Sequence, residues 1–161
     1  GEIGVISDLG QGSTFWFTIP YIPAVSPEKK DMASRKISEF SSQKKTILIA
    51  EDNDSNYELI DAILSSKYNL VHAWNGQEAV EMFNECNPRL IIMDINMPVM
   101  DGYEATREIR KLTSDVPILA LTAYAYASDE ERILNSGMNA YMSKPIDSRL
   151  LKNHVTKMLN E

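Results

Sequence analysis

Leu90-Ile91-Ile92-Met93-Asp94-Ile95-Asn96-Met97-Pro98 is the stretch that decides the fold. Four apolar residues run straight into one carboxylate. Ile and Leu fall on both faces of the run, as in a parallel-sheet strand covered on both sides. Pro98 has no amide to give a ladder, so the strand ends before it. Asp94 then sits at the carboxyl end of a buried strand, the edge where open α/β sheets bind ligands. Taken alone, an Asp here reads more plainly as a cap on the next turn. The residues around it decide between the two.

Working outward, the same unit repeats. Residues 46–50 are an apolar strand ending at Glu51-Asp52, and Asp54 or Ser55 is placed to cap a helix that carries Leu59, Ile60, Ile63 and Leu64 at helical spacing. Residues 70–73 form a second strand, and 76–86 a helix with Ala79, Val80 and Phe83 inward. After the Leu90 strand, Asp101 opens a helix bearing Tyr103, Ala105, Thr106, Ile109 and Leu112. Residues 117–121 form a fourth strand, ending at Thr122. A helix over 128–135 stops at Gly137. Residues 140–142 are a fifth strand leading to Ser143-Lys144-Pro145. Asp147 or Ser148 opens the last helix, with Leu150, Leu151, Val155, Met158 and Leu159 on one face. Strands alternating with helices in this way predict an α/β fold, a doubly wound five-stranded parallel sheet of the flavodoxin-like kind. Right-handed crossovers leave few topologies, and strand order 2-1-3-4-5 is the one expected.

Residues 1–22 read differently. Ile3 and Val5, then Phe15, Phe17 and Ile19, alternate with small or polar residues around Gly10 and Gly12, which predicts a β-hairpin. Residues 23–45 hold Pro23, Pro27, six Lys or Arg and five Ser, the composition of a linker, with one short helix expected between 28 and 41. Three segments follow: a hairpin at 1–22, a linker at 23–45 and a main domain at 46–161.

Composition narrows the function classes. Residues 1–45 carry net charge +1 and residues 46–161 carry −8, together the −7 of the chain. An acidic main domain argues against direct nucleic-acid binding, which draws most of its affinity from phosphate contacts. Cys86 is the single cysteine, so no internal disulfide forms and a reducing, cytoplasmic setting is expected. No apolar run approaches the ~18 residues of a membrane span.

With strands one and three adjacent, Glu51, Asp52 and Asp94 meet at one sheet edge, and Thr122 and Lys144 end the adjoining strands. Close carboxylates repel by about 4 kcal/mol per pair at intermediate dielectric. They require a cation, or one stays protonated. Oxygen-only ligands without His or Cys suit Mg²⁺, which keeps waters and leaves room for a phosphate. A carboxylate is a competent nucleophile on phosphorus, and such transfer depends on positioning and charge neutralisation. Lys144, the Thr122 hydroxyl and a nearby amide supply the neutralising contacts. His72, one strand further out, reads as a satisfied or exposed histidine.

These motifs carry a resemblance. Glu51-Asp52-Asn53, Asp94-Ile-Asn-Met-Pro-Val-Met-Asp-Gly102, Leu121-Thr122-Ala123 and Tyr141-Met-Ser-Lys144-Pro145 make residues 46–161 similar to a response-regulator receiver domain over their whole length. The resemblance implies that Asp94 is the phosphoacceptor, that Asp52, Asp94 and the carbonyl of Asn96 hold Mg²⁺, and that Glu51 contributes to the same pocket, in part through water. It implies Thr122 and Tyr141 as a switch pair, a cis Lys144–Pro145 bond, slow autodephosphorylation, and an output face made by the fourth helix, fifth strand and fifth helix. A histidine kinase or a histidine phosphotransfer domain is the implied phosphodonor. Asn53 and Asn56 resemble receivers of hybrid kinases. Residues 1–22, with Gly10, Gly12, Ser13 and Phe15, resemble the last glycine box of the ATP-binding domain of sensor histidine kinases, so the parent resembles a hybrid kinase, one that membrane segments elsewhere would anchor. That domain's earlier elements are not in this sequence, so no ATP site is expected.

Three other readings compete for the main domain. A haloacid-dehalogenase-like phosphatase requires a second Asp two residues past its nucleophile, where Asn96 stands. A flavodoxin-like FMN binder conflicts with the acidic Glu51-Asp52-Asn53-Asp54 run. A docking module without phosphorylation leaves the five site residues unexplained. The hairpin has no layer of its own to cover its apolar face, so packing on another surface or self-association through residues 1–22 is expected.

Overall fold

The computed structural model describes residues 2–8, 12–18, 44–123 and 127–160. Gly10, Ile19 and the short helix expected within 28–41 lie outside them. The chain divides into two compact units, Gly1–Lys36 and Ile37–Glu161.

The first unit holds an antiparallel hairpin, β1 (Ile3–Asp8) and β2 (Gly12–Phe17). Ile3 pairs with Phe17 and Val5 with Phe15, which places these apolar side chains on one face, as the alternation predicts. Opposite Gly4 stands Trp16, whose indole lies across the glycine so closely that a Cβ there would come within 2.6 Å of the ring. The Gly4 position is thus covered by an aromatic neighbour. Gly12 adopts φ +96, the turn role expected of it.

The second unit runs β3 (Thr46–Ala50), α1 (Asp54–Leu64), β4 (Asn69–Ala73), α2 (Gly76–Cys86), β5 (Leu90–Asp94), α3 (Gly102–Leu112), β6 (Ile118–Thr122), α4 (Ala127–Asn135), β7 (Ala140–Ser143) and α5 (Ser148–Met158). All ladders are parallel, in the order β4-β3-β5-β6-β7, which is the expected 2-1-3-4-5. Alternation along each strand divides the core into two layers. Leu48, Ala50, Ile91, Met93, Ile118 and Ala120 pack on the side of Ala79, Ile109 and Ile133, from α2, α3 and α4. Ile47, Ile49, Leu90, Ile92, Leu119 and Leu121 pack on the side of Ile60, Leu64, Leu151 and Val155, from α1 and α5.

One helix cap differs from the sequence reading. Asn53, not Asp54 or Ser55, is the N-cap of α1; its extended backbone lets Oδ1 accept the Asn56 amide at 3.1 Å. Leu59, Leu112 and Leu150, which share the apolar spacing of their helices, are 41%, 53% and 52% exposed. Apolar spacing marks a face of a helix, not how much of that face the sheet covers. The remaining caps (Asn75, Asp101 and Asp147) each accept amides of the following turn.

Candidate functional site

Three strand ends build the site. Asp94 closes β5 and is 3% exposed; Glu51, directly after β3, is fully buried; Asp52 beside it is exposed. One carboxylate oxygen from each of Glu51, Asp52 and Asp94 lies within 4.8 Å of the others. The β6–β7 ladder continues one step past Ser143, with the Lys144 amide donating to the Thr122 carbonyl at 2.7 Å. That extension brings the Lys144 ammonium to 2.7 Å from Asp94 Oδ2, 3.0 Å from Glu51 Oε1 and 2.8 Å from Glu51 Oε2. The Lys144–Pro145 bond is cis, as the resemblance implied.

Neighbouring groups orient the acids. Asn56, one turn into α1, donates from Nδ2 to Glu51 Oε1 at 2.8 Å. The Asn96 amide donates to Asp94 Oδ1 at 3.2 Å. The loop that carries Asn96 is held close: a Cβ at Gly102 would collide with the Asp94 carbonyl and the Ile95 backbone. Val99 in the same loop has φ +69, and Met100 donates its amide to Pro98 at 2.8 Å, closing a three-residue turn of the strained positive-φ kind.

Burial raises the Glu51 carboxyl above its usual range, and the bonds from Asn56 and Lys144 only partly offset that. Burial alone would lower Lys144, but its bonds to Asp94 and Glu51 outweigh the loss and hold its proton more tightly. Lys144 is therefore the fixed cation of the pocket. One ammonium does not balance three carboxylates. Glu51 Oε2, although near Lys144, is buried without an aligned hydrogen-bond donor. All-oxygen donors that carry more negative charge than one ammonium offsets fit a hard divalent cation such as Mg²⁺.

Of the remaining candidates, Thr122 ends β6 and is 5% exposed, one residue beyond the Leu121 that pairs with Asp94. Tyr141 in β7 packs its ring partly against the α2–α3–α4 layer, and its hydroxyl donates to Glu130 Oε2 on α4 at 3.0 Å. That bond raises the phenol above its usual range. Glu130 was not singled out in the sequence, because nothing local marks it as the partner of a tyrosine eleven residues on. His72 is satisfied, as expected, and bonds the backbone carbonyl of Glu51 at 2.8 Å. Cys86 is a half-buried thiol pushed up to about 11 by burial.

An acidic pocket with a fixed lysine, at the carboxyl edge of a 2-1-3-4-5 sheet, defines a phosphorelay receiver. Residues 47–156 match the response regulator receiver domain family, and the chain belongs to it. It is a receiver domain of two-component signalling. Its relatives include the autoinducer 2 sensor kinase/phosphatase LuxQ of Vibrio vulnificus, 38% identical over 154 residues. That match covers 94% of this chain, so it runs well into the segment before Thr46, but only 18% of the relative's length. Among solved structures, the receiver domain of sensor histidine kinase PA1611 from Pseudomonas aeruginosa, with a magnesium ion in its active-site cleft, is 38% identical with TM-score 0.67, covering 73% of this chain and 99% of that one. The Saccharomyces cerevisiae Ssk1 receiver domain, in complex with the phosphotransfer protein Ypd1, is 34% identical with TM-score 0.68, covering 71% of this chain and 88% of that one. No helix among the described residues is long and apolar enough to cross a membrane.

Proposed function

We propose that Asp94 accepts a phosphoryl group from a phosphohistidine of a histidine kinase or histidine phosphotransfer protein, with Mg²⁺ held by Asp52, Asp94 and the Asn96 carbonyl and with Glu51 acting in part through water. The observation that carries this reading is the meeting of three carboxylates within 4.8 Å around a lysine 2.7 Å from Asp94. An Asp94 carboxylate oxygen attacks phosphorus; the P–N bond breaks, and its electron pair leaves with the donor imidazole, which takes up a proton. Bound Mg²⁺ supplies positive charge to the phosphoryl oxygens. Lys144 neutralises the same charge from the β7 side, and the Thr122 hydroxyl is placed at the end of the adjoining strand to bond a phosphoryl oxygen. Asn56 and the Asn96 amide keep the acids aimed. The magnesium-bound PA1611 receiver supports the metal, and the Ssk1 complex supports a phosphotransfer protein as partner.

The same reading makes Thr122 and Tyr141 a switch. Phosphate draws the Thr122 hydroxyl inward, Tyr141 turns in behind it, and its bond to Glu130 breaks, which remodels the α4–β7–α5 face for a downstream protein. Residues 1–22 are read as the closing hairpin of a kinase ATP-binding domain and 23–45 as the linker of a hybrid kinase.

Incubation with phosphoramidate and Mg²⁺, followed by mass mapping, should give one acid-labile adduct at Asp94, absent in Asp94→Asn and in excess EDTA. Continuous turnover of the phosphodonor without a lasting adduct would instead favour a phosphatase. Beryllofluoride, standing in for phosphate, should alter amide exchange around residues 127–136 and Tyr141; identical exchange in both states would refute the switch.

A further inference from the structure

His72 is a half-buried polar side chain that the phosphorelay chemistry does not use. Its place in the β3–β4 ladder gives it a task. The Glu51 amide donates to the Ala73 carbonyl at 3.1 Å, so the parallel ladder is still intact at Glu51. The next step of such a ladder would bring the Asn75 amide to the Glu51 carbonyl. Asn75 is instead the N-cap of α2, where the chain turns away. The His72 imidazole fills the position: Nε2 lies 2.8 Å from the Glu51 carbonyl oxygen. A carbonyl only accepts, so Nε2 carries the proton and the tautomer is fixed. The ring itself is clamped. Tyr57 of α1 stacks on it with centroids 3.7 Å apart and planes 4° from parallel, and Trp74 meets it at 4.2 Å and 51°.

The carbonyl held in this way belongs to the peptide that joins Glu51 to Asp52. We propose that His72 is a positioning residue for the acidic pocket: by fixing the Glu51–Asp52 peptide plane through its Nε2–H, it sets the directions in which both carboxylates project toward the cation. This rests on the reading of Glu51, Asp52 and Asp94 as the Mg²⁺ pocket. Carboxylates that repel one another splay when their backbone is loose, so the clamp matters most before the cation arrives. The role differs from that of Asn56, which touches the Glu51 carboxylate itself, because His72 acts only through the backbone.

The test is a Mg²⁺ titration of the full chain by calorimetry, with phosphoramidate labelling run across the same Mg²⁺ range. His72→Phe keeps a flat ring between Tyr57 and Trp74 and removes only the donor. It should weaken Mg²⁺ binding about threefold to tenfold, below the 10–100-fold typical when a partner of the ligand side chain itself is lost. Its labelling rate at saturating Mg²⁺ should return to the wild-type value, so that half-saturation moves and the maximum does not. His72→Gln, which keeps an N–H donor, should recover part of the affinity. Unchanged Mg²⁺ affinity in His72→Phe, with or without a lower melting temperature, overturns the proposal and leaves His72 as packing alone. A wild-type chain that binds no Mg²⁺ overturns the pocket reading and this proposal together.

Discussion

β2 and β3 are short strands of similar apolar content with opposite fates. In β3, Ile47, Leu48 and Ile49 have no exposed surface. In the hairpin, Phe15 is 77%, Phe17 72% and Ile3 81% exposed. Both segments form strands because the local pattern and one paired neighbour suffice for that. Burial requires layers on both faces; among the described residues the five-stranded sheet has them, α1 and α5 on one side and α2, α3 and α4 on the other. An apolar strand thus states what it would bury, not whether anything covers it.

The sharpest way to break this comparison is to delete matching side chains. Ile49→Ala should cost about 2–5 kcal/mol, since it opens a cavity in a closed core. Phe15→Ala should change the main denaturant transition by less than about 0.5 kcal/mol. Equal losses would mean that the hairpin and the sheet unfold as one body.

Glycines offer a second contrast. At Gly102 a Cβ meets backbone, the Asp94 carbonyl, which cannot move without displacing the loop. Gly102→Ala should therefore slow Asp94 labelling by at least an order of magnitude and lower the melting temperature. At Gly4 a Cβ meets only the Trp16 indole, which can swing away. Gly4→Ala should shift tryptophan emission and leave labelling unchanged; a labelling defect in Gly4→Ala would mean that the hairpin influences the site.

A smaller effect is expected from removing the hairpin altogether. A chain beginning at Lys44 should keep its melting transition and its Mg²⁺-dependent labelling, while the full chain sediments as the more associated species at high concentration. If both sediment alike as monomers, the exposed Ile3, Phe15 and Phe17 do not form an association surface.

The smallest effect concerns what the buried sheet costs and the hairpin avoids. Glu51 titrates above its ordinary value because it is buried. Its folded form binds the proton more tightly than the unfolded chain does. The stability gained is complete below about pH 4.3, the ordinary Glu value, and is lost as pH rises through the raised value. Without Mg²⁺, Glu51→Gln should therefore gain on the wild type as pH increases in denaturation curves, and added Mg²⁺ should reverse the order. A pH-independent difference would show that Glu51 keeps an ordinary proton affinity.

Much of the site was legible in advance. Strand ends are local features, so Glu51, Asp52, Asp94, Thr122 and Lys144 could each be placed at an edge, and right-handed crossovers bring those edges together. Helix faces were less legible: Leu59, Leu112 and Leu150 fit the apolar period yet are exposed, because the period marks a face and not how much of it the sheet covers. The sequence by itself determined the five βα units, their strand order and the acids at their ends, because periodicity and chain breaks act over a few residues. Only the tertiary structure decided that His72 bonds the Glu51 carbonyl, that Tyr57 stacks on it, and that Glu130 takes the Tyr141 hydroxyl. Those pairings depend on where crossovers set elements side by side, a distance in space that no local pattern encodes.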